Sequence, residues 1–110
     1  MFGGVREFSI IDNRGLDALS AAYIQSLKSS CTGEFTSSLT PVETLEDLAM
    51  RVGDASCRNG DRATYFRHVY YINKARIFTI FIHEGDDTNN EQATKARDSI
   101  AAVIRRVAGS

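Results

Sequence analysis

The chain has 110 residues, of which 43% are hydrophobic and 25% are charged, with one proline and a net charge of −1. This composition is typical of one folded domain spanning residues 1–110, and it excludes a disordered tail. The apolar runs are shorter than the ~20 residues that span a bilayer, and residues 1–11 lack the basic start of a signal peptide, so we expect a cytosolic protein.

The first part of the chain predicts a strand followed by a helix. Residues 5–11 form an apolar-rich run that ends at a turn, as a short strand does. Apolar residues then recur every three or four positions from Leu16 to Lys28, which is typical of an amphipathic helix. The Ser- and Thr-rich segment 32–39 has few apolar residues, so we predict a loop there.

A second helix is predicted from Pro41 to Val52. Thr40, Pro41 and Glu43 have the order of a capping box, in which two side chains satisfy backbone N–H groups that the helix leaves unpaired. Apolar residues continue with helical spacing, and Gly53 is a natural helix end.

The remaining chain predicts a three-stranded meander and a last helix. The strands are expected at about 54–58, 61–72 and 76–84, and Asn59-Gly60 is typical of a type I′ hairpin turn. A second capping box, residues 88–91, predicts a helix that ends at Gly109. The order β-α-α-β-β-β-α indicates an α+β fold, a mainly antiparallel sheet with helices packed on one face.

The sequence offers few catalytic signatures. No P-loop, GxGxxG, GxSxG or HExxH occurs, and the two cysteines, Cys31 and Cys57, have no metal-ligand spacing, so no cofactor or metal is expected. We interpret both cysteines as unpaired thiols, with a disulfide as the alternative. His68 and His83 lie on successive predicted strands and suggest an acid–base pair, although ordinary sheet-surface histidines explain them as well.

Positive charge is concentrated in the predicted meander. Residues 51–83 carry a net charge of +4, against −4 for residues 1–50. Five of the six cations in this range form a basic group that is interleaved with Tyr65, Tyr70 and Tyr71: Arg58, Arg62, Arg67, Lys74 and Arg76. Cations neutralise phosphates and aromatic rings stack on unpaired bases, so the combination is typical of single-stranded RNA recognition. The alternative is a solvated strand surface whose charges discourage edge pairing.

The segment FRHVYYINKARIFTIFIHEGDDTNNEQATKARDSIAAV, together with the element order, resembles the RelE/ParE superfamily of toxins, in particular its HigB-like addiction module killer branch. The similar features are Phe66 to Tyr71, the turn at residues 73–75, the apolar strand 77–82 and Gly85-Asp86. The resemblance covers residues 66–110.

The resemblance implies the toxin of a toxin–antitoxin module, which acts as a metal-independent mRNA endonuclease at the ribosome or poisons gyrase. The implied partners are an antitoxin protein and the ribosome with its mRNA, and a homodimer is one candidate assembly. The implied catalytic residues are Arg67, His68, His83 and Arg76, and the implied RNA-binding residues are Arg58, Arg62, Tyr70 and Lys74.

Two other functions fit the same sequence. One is a non-catalytic interaction or inhibitor module that binds a partner protein through an exposed strand edge or through segment 32–39. The other is a small-molecule sensor with its binding cleft between the helices and the sheet, although no particular residue supports this function.

Overall fold

Over the described residues, the fold is a six-stranded antiparallel sheet between two helices. The computed structural model describes residues 2–108, and Gly109, the predicted helix end, lies outside them. The strands are β1 (Phe2–Ser9), β2 (Glu34–Leu39), β3 (Glu43–Thr44), β4 (Leu48–Asn59), β5 (Arg62–Asn73) and β6 (Ile77–Gly85), and the helices are α1 (Leu16–Ser30) and α2 (Asn90–Ala108). Adjacent strands follow the order β1-β6-β5-β4-β2, and β3 also pairs with β4.

The α+β class and the antiparallel sheet are confirmed, whereas the predicted placement of all helices on one face is wrong. Successive side chains of a strand point to opposite faces. Tyr70 of β5 belongs to the core cluster that includes Leu16 and Leu19 of α1. Its neighbour Val69 belongs to the cluster that includes Ala101 of α2. We call these sides the α1 face and the α2 face, and each is covered by one helix.

The predicted helix at residues 41–52 is also wrong, so the element order is β-α-β-β-β-β-β-α. Residues 48–59 instead form β4, which pairs with β5 from Leu48↔Asn73 to Asn59↔Arg62. This pairing buries Met50 and Val52 on the α2 face. Long-range strand pairing therefore overrides the local capping signal.

Gly53, expected at a helix end, lies in the middle of β4. A Cβ atom there would stand 2.6 Å from Cε2 of Tyr70, so the absent side chain leaves room for that ring.

The hairpins on both sides of β5 are confirmed, with a different turn at the first. Asn59 still pairs with Arg62, so the turn residues are Gly60 and Asp61. Among the described residues only Gly60 and Arg76 have positive φ, at 62° and 63°. Positive φ at the first turn residue alone is the pattern of a type II′ turn, which Gly adopts without strain.

The interpretation of the two cysteines as unpaired thiols is wrong. Cys31 and Cys57 form a disulfide with Cα atoms 5.8 Å apart, a normal separation for such a bond. Cys31 follows the end of α1, and Cys57 is paired in β4 with Phe35 of β2. The bond therefore ties the start of β2 to the sheet.

Candidate functional site

The cations predicted to bind RNA lie in separate places. Arg58 forms an ion pair with Asp87, with Nη2 and Oδ1 3.3 Å apart, and this carboxylate raises the pKa of the guanidinium. Lys74 faces Asp47 with 3.8 Å between Nζ and Oδ1 at the other end of β5. Arg62 is exposed beside the β4–β5 turn, and its register position places it on the α1 face.

Arg76, a predicted catalytic residue, holds two loops together. Its Nη2 donates to the backbone oxygens of Asp12, at 3.0 Å, and of Arg14. These bonds connect the β5–β6 turn to the segment between β1 and α1. A guanidinium engaged in this way acts as a structural cross-link.

The proposed acid–base pairing of His68 and His83 is wrong. In the β5–β6 register His68 faces Ile82 and His83 faces Arg67, which places the two rings on opposite faces of the sheet. His68 is fully buried, and burial lowers its pKa to about 4. Burial also lowers the pKa of His83. Within residues 2–108, His68 Nε2 and His83 Nδ1 are buried without a hydrogen-bond partner.

Tyr70, predicted to stack on bases, is fully buried on the α1 face. Its hydroxyl lies 2.8 Å from Nδ1 of His68, and Tyr23 of α1 meets both rings edge-on. Burial raises the pKa of the Tyr70 hydroxyl. This ring therefore belongs to the core and is out of reach of a nucleic acid.

A polar cleft lies on the α2 face, beside the N-terminal part of α2. Its volume is about 330 Å³. The strand registers place Thr36 beside Ser56 and Tyr65, and Ser38 beside Asp54 and Arg67. The cleft residues are Thr36, Ser37, Ser38, Asp54, Ala55, Ser56, Tyr65 and Arg67.

An ion cluster forms the inner wall of this cleft. Oδ1 of Asp54 accepts from Nη1 of Arg67 at 3.0 Å and from Nη1 of Arg97 at 2.9 Å. The Arg97 side chain is only 6% exposed, and its Nη1 also donates to the carbonyl oxygen of Gly53. Arg67 further donates to Asn90 and Thr94 of α2. Nε of Arg97 also donates to Oδ1 of Asp98 at 2.7 Å, so the two guanidinium groups face two carboxylates. The cluster therefore fixes α2 against β4 and β5, and its charges are largely compensated internally.

The outer wall of the cleft is β2, an edge strand that is firmly attached to β4. The disulfide fixes its start, and Thr36 Oγ1 lies 2.6 Å from Ser56 Oγ across the ladder. Gly33 allows a close approach just before β2, because a side chain there would collide with the carbonyl oxygen of Arg58. Segment 32–39, predicted to be a loop, is thus mostly an ordered strand.

The outer edge of β2 offers unpaired backbone groups. The N–H of Thr40 donates to the oxygen of Val52 at 2.9 Å, which continues the register in which Leu39 faces Gly53. Bonded and non-bonded positions alternate in an antiparallel ladder, so even-numbered residues bond to β4. Phe35, Ser37 and Leu39 therefore direct their N–H and C=O groups away from the sheet.

The chemistry available at this site is hydrogen bonding. No group of His, Cys, Asp and Glu side chains suited to a metal ion occurs in the described part of the chain. The cleft presents four hydroxyl-bearing residues of β2 and β4, a tyrosine and a compensated ion cluster. These groups suit a neutral polar ligand better than a polyanion, because phosphate binding draws its affinity from uncompensated cations.

Sequence reasoning missed Asp54, Arg97, Thr36 and Ser38. Arg97 carries a usable signal, since it lies four residues after Ala93 and four before Ala101, within the stripe of small residues that α2 buries. A charged residue in such a stripe needs a buried partner. Thr36 and Ser38 could be found only once segment 32–39 is known to be a strand.

Comparison with known proteins adds no relative. The chain matches no protein-family model, no curated protein and no solved structure. Within residues 2–108, neither helix has the length and apolar character needed to cross a membrane.

Proposed function

We propose that this chain is a non-catalytic protein-interaction module that binds an extended segment of a partner protein along β2. The observation that carries the proposal is an exposed edge strand, held rigidly by a disulfide, whose outward backbone groups lie beside a polar cleft. Addition of a strand to such an edge gives affinity through main-chain hydrogen bonds and specificity through side-chain pockets.

The side chains of β2 define the segment that would fit. Phe35 and Leu39 are half-buried against the core on the α1 face. Thr36 and Ser38 are exposed on the α2 face, next to the cleft. A bound strand would therefore place apolar side chains beside Phe35 and Leu39, and neutral polar side chains over the cleft. The expected ligand is a segment that alternates apolar and polar residues.

The disulfide bears on where this module works. Disulfides persist in oxidising compartments and are rare where glutathione and thioredoxin keep thiols reduced. The Cys31–Cys57 bond therefore favours an oxidising compartment over the cytosol expected from the sequence.

The endoribonuclease hypothesis stays a prediction. It would need phosphate-binding cations and an acid–base pair on one accessible face. The cations lie instead at separate places, with Arg67 bonded to Asp54 and Asn90, and the two histidines are on opposite faces. Induced expression that slows bacterial growth and shortens message lifetimes would favour it over the interaction module.

A peptide-display selection on the folded chain tests the proposal. Peptides recovered from a random library are expected to alternate apolar and polar residues and to lose binding to Ser37→Pro. Proline at this position removes an outward N–H while the ladder to β4 is retained, because edge strands tolerate proline. Ser37→Ala is the matched control and should bind normally. Failure to select any peptide, or equal binding to Ser37→Pro, would overturn the proposal.

A further inference from the structure

The opposite edge of the sheet, β1, is unusually exposed. All eight of its residues are exposed, and the apolar ones include Phe2 at 59%, Val5 at 52% and Phe8 at 41%. Natural edge strands are usually protected by lysine, proline or a bulge. β1 contains neither lysine nor proline, its charged residues are Arg6 and Glu7, and it pairs with β6 in eight consecutive positions without a bulge. A regular strand with exposed apolar residues marks an interaction edge.

The backbone groups that point away from the sheet can be assigned. The N–H of Ile10 donates to the oxygen of Arg76 at 2.9 Å, which continues the register in which Ser9 faces Ile77. Even-numbered residues of β1 therefore bond to β6, by the alternation of an antiparallel ladder. Gly3, Val5, Glu7 and Ser9 direct their N–H and C=O groups outward.

We infer that β1 pairs with β1 of a second copy of this chain, with Val5 on the two-fold axis, so that the two sheets become continuous. When the two-fold axis is perpendicular to the sheet, the α1 faces of both copies lie on the same side of the joined sheet. Even-numbered residues of β1 therefore face even-numbered residues of the other copy, and odd-numbered residues face odd-numbered ones. In this register Phe2 of each copy faces Phe8 of the other. Gly4 faces Arg6, and Gly3 faces Glu7, so each charged side chain meets a residue without a side chain.

The neighbouring registers are less favourable. A two-fold axis at Arg6 would set two arginines directly opposite each other, and like charges in that position are destabilising. An axis at Gly4 would place Phe2 opposite Arg6 and leave Phe8 beyond the paired region. The register with Val5 at the centre is the one that matches both aromatic residues.

Two grooves on the α1 face match the aromatic residues of the second copy. One groove, of about 370 Å³, is bordered by Phe8 and Phe78 together with Leu19 and Ala22 of α1. The other, also about 370 Å³, is bordered by Phe2, Arg6 and Ile82. Because Phe2 and Phe8 face each other between copies, each groove would receive one phenylalanine from the other chain. Self-association thus fills both grooves at once.

Light scattering after size exclusion tests this inference on the full chain. Wild type is expected at twice the monomer mass of 12.1 kDa. Val5→Lys places two like charges on the axis and should yield a monomer. Ser37→Lys, at the opposite edge, is the matched control and should remain dimeric. Two results would overturn the inference. One is a monomeric wild type, which is the mass expected if β1 instead binds a different protein. The other is a dimer that Val5→Lys leaves unaffected.

Cross-linking then tests the register without relying on a destabilising charge. Paired Cα atoms at a hydrogen-bonded position lie about 5.5 Å apart, within reach of a disulfide. Val5→Cys should form a covalent dimer under oxidation, whereas Glu7→Cys, which faces Gly3, should not. Cross-linking of Glu7→Cys in preference to Val5→Cys would refute the register. The β2 proposal uses the opposite edge, so either can fail alone.

Discussion

Reduction of the Cys31–Cys57 disulfide should weaken the fold substantially. The bond closes a loop with a sequence separation of 26 residues. In the chain-entropy description, a loop of this length contributes about 3.5 kcal/mol by restricting the unfolded chain. For a domain of this size, such a loss lowers the melting temperature by roughly 10–15 °C. We expect the reduced protein to remain folded at room temperature with a clearly lower transition.

Thermal unfolding followed by circular dichroism, with and without dithiothreitol, measures this loss. A Cys31→Ser, Cys57→Ser double variant should melt like the reduced wild type and should not respond to dithiothreitol. Equal melting temperatures for the oxidised and reduced wild type would refute the reasoning. Such a result would also remove the argument that the disulfide holds β2 in place.

Two further predictions concern buried groups. Asp54→Asn leaves the nearly buried Arg97 without its main counter-charge, so we expect the free energy of unfolding to fall by about 3 kcal/mol. This value is the low end for a buried ion pair, because the Asp54 side chain is 36% exposed. Asp98→Asn, whose carboxylate also contacts Arg97 but is 63% exposed, should cost less than about 1 kcal/mol in the same urea titration, and equal costs would contradict the assignment. His68 has a pKa of about 4 in the fold and 6.5 when unfolded, so the unfolded chain takes up the proton first as the pH falls. The free energy of unfolding of the wild type should therefore fall by on the order of 3 kcal/mol more than that of His68→Gln between pH 6.5 and pH 4. Parallel curves of stability against pH for the two proteins would contradict this.

The elements that could be predicted from sequence are those with a strong local pattern. The apolar spacing of Leu16 and Leu19 indicates α1, and both residues are buried. β5 and β6 are rich in β-branched and aromatic residues, which favour the strand conformation. In both cases local preference and long-range packing agree, which is why pattern reasoning succeeds there.

The errors arose where local preference and packing conflict. Thr40 and Pro41 resemble a helix start, yet Thr40 is bonded to Val52 of β4. The Thr40 N–H donates to the Val52 carbonyl oxygen, and Thr40 Oγ1 accepts from the Val52 N–H. Leu48, Met50 and Val52 also alternate with a period of two, and pairing with β5 decided between the two patterns. Segment 32–39 has few apolar residues because β2 packs against the core on the α1 face only, through Phe35 and Leu39.

The candidate site lay further beyond sequence reasoning. Asp54, Arg67 and Arg97 meet because of the β4–β5 register and the position of α2, and neither is encoded in a local motif. The predicted RNA surface failed for a related reason. Clustering of cations along the sequence says nothing about which face of a strand each one occupies.

The strand order also has a kinetic consequence. β4, β5 and β6 are joined by short turns, so their pairing closes only small loops and should form early. β1 pairs with β6 from the other end of the chain, with Phe2 opposite Glu84, so its docking closes a long loop and should come late. During synthesis β1 must wait until β6 has emerged, and until then β1 is unprotected against misassembly with other nascent chains.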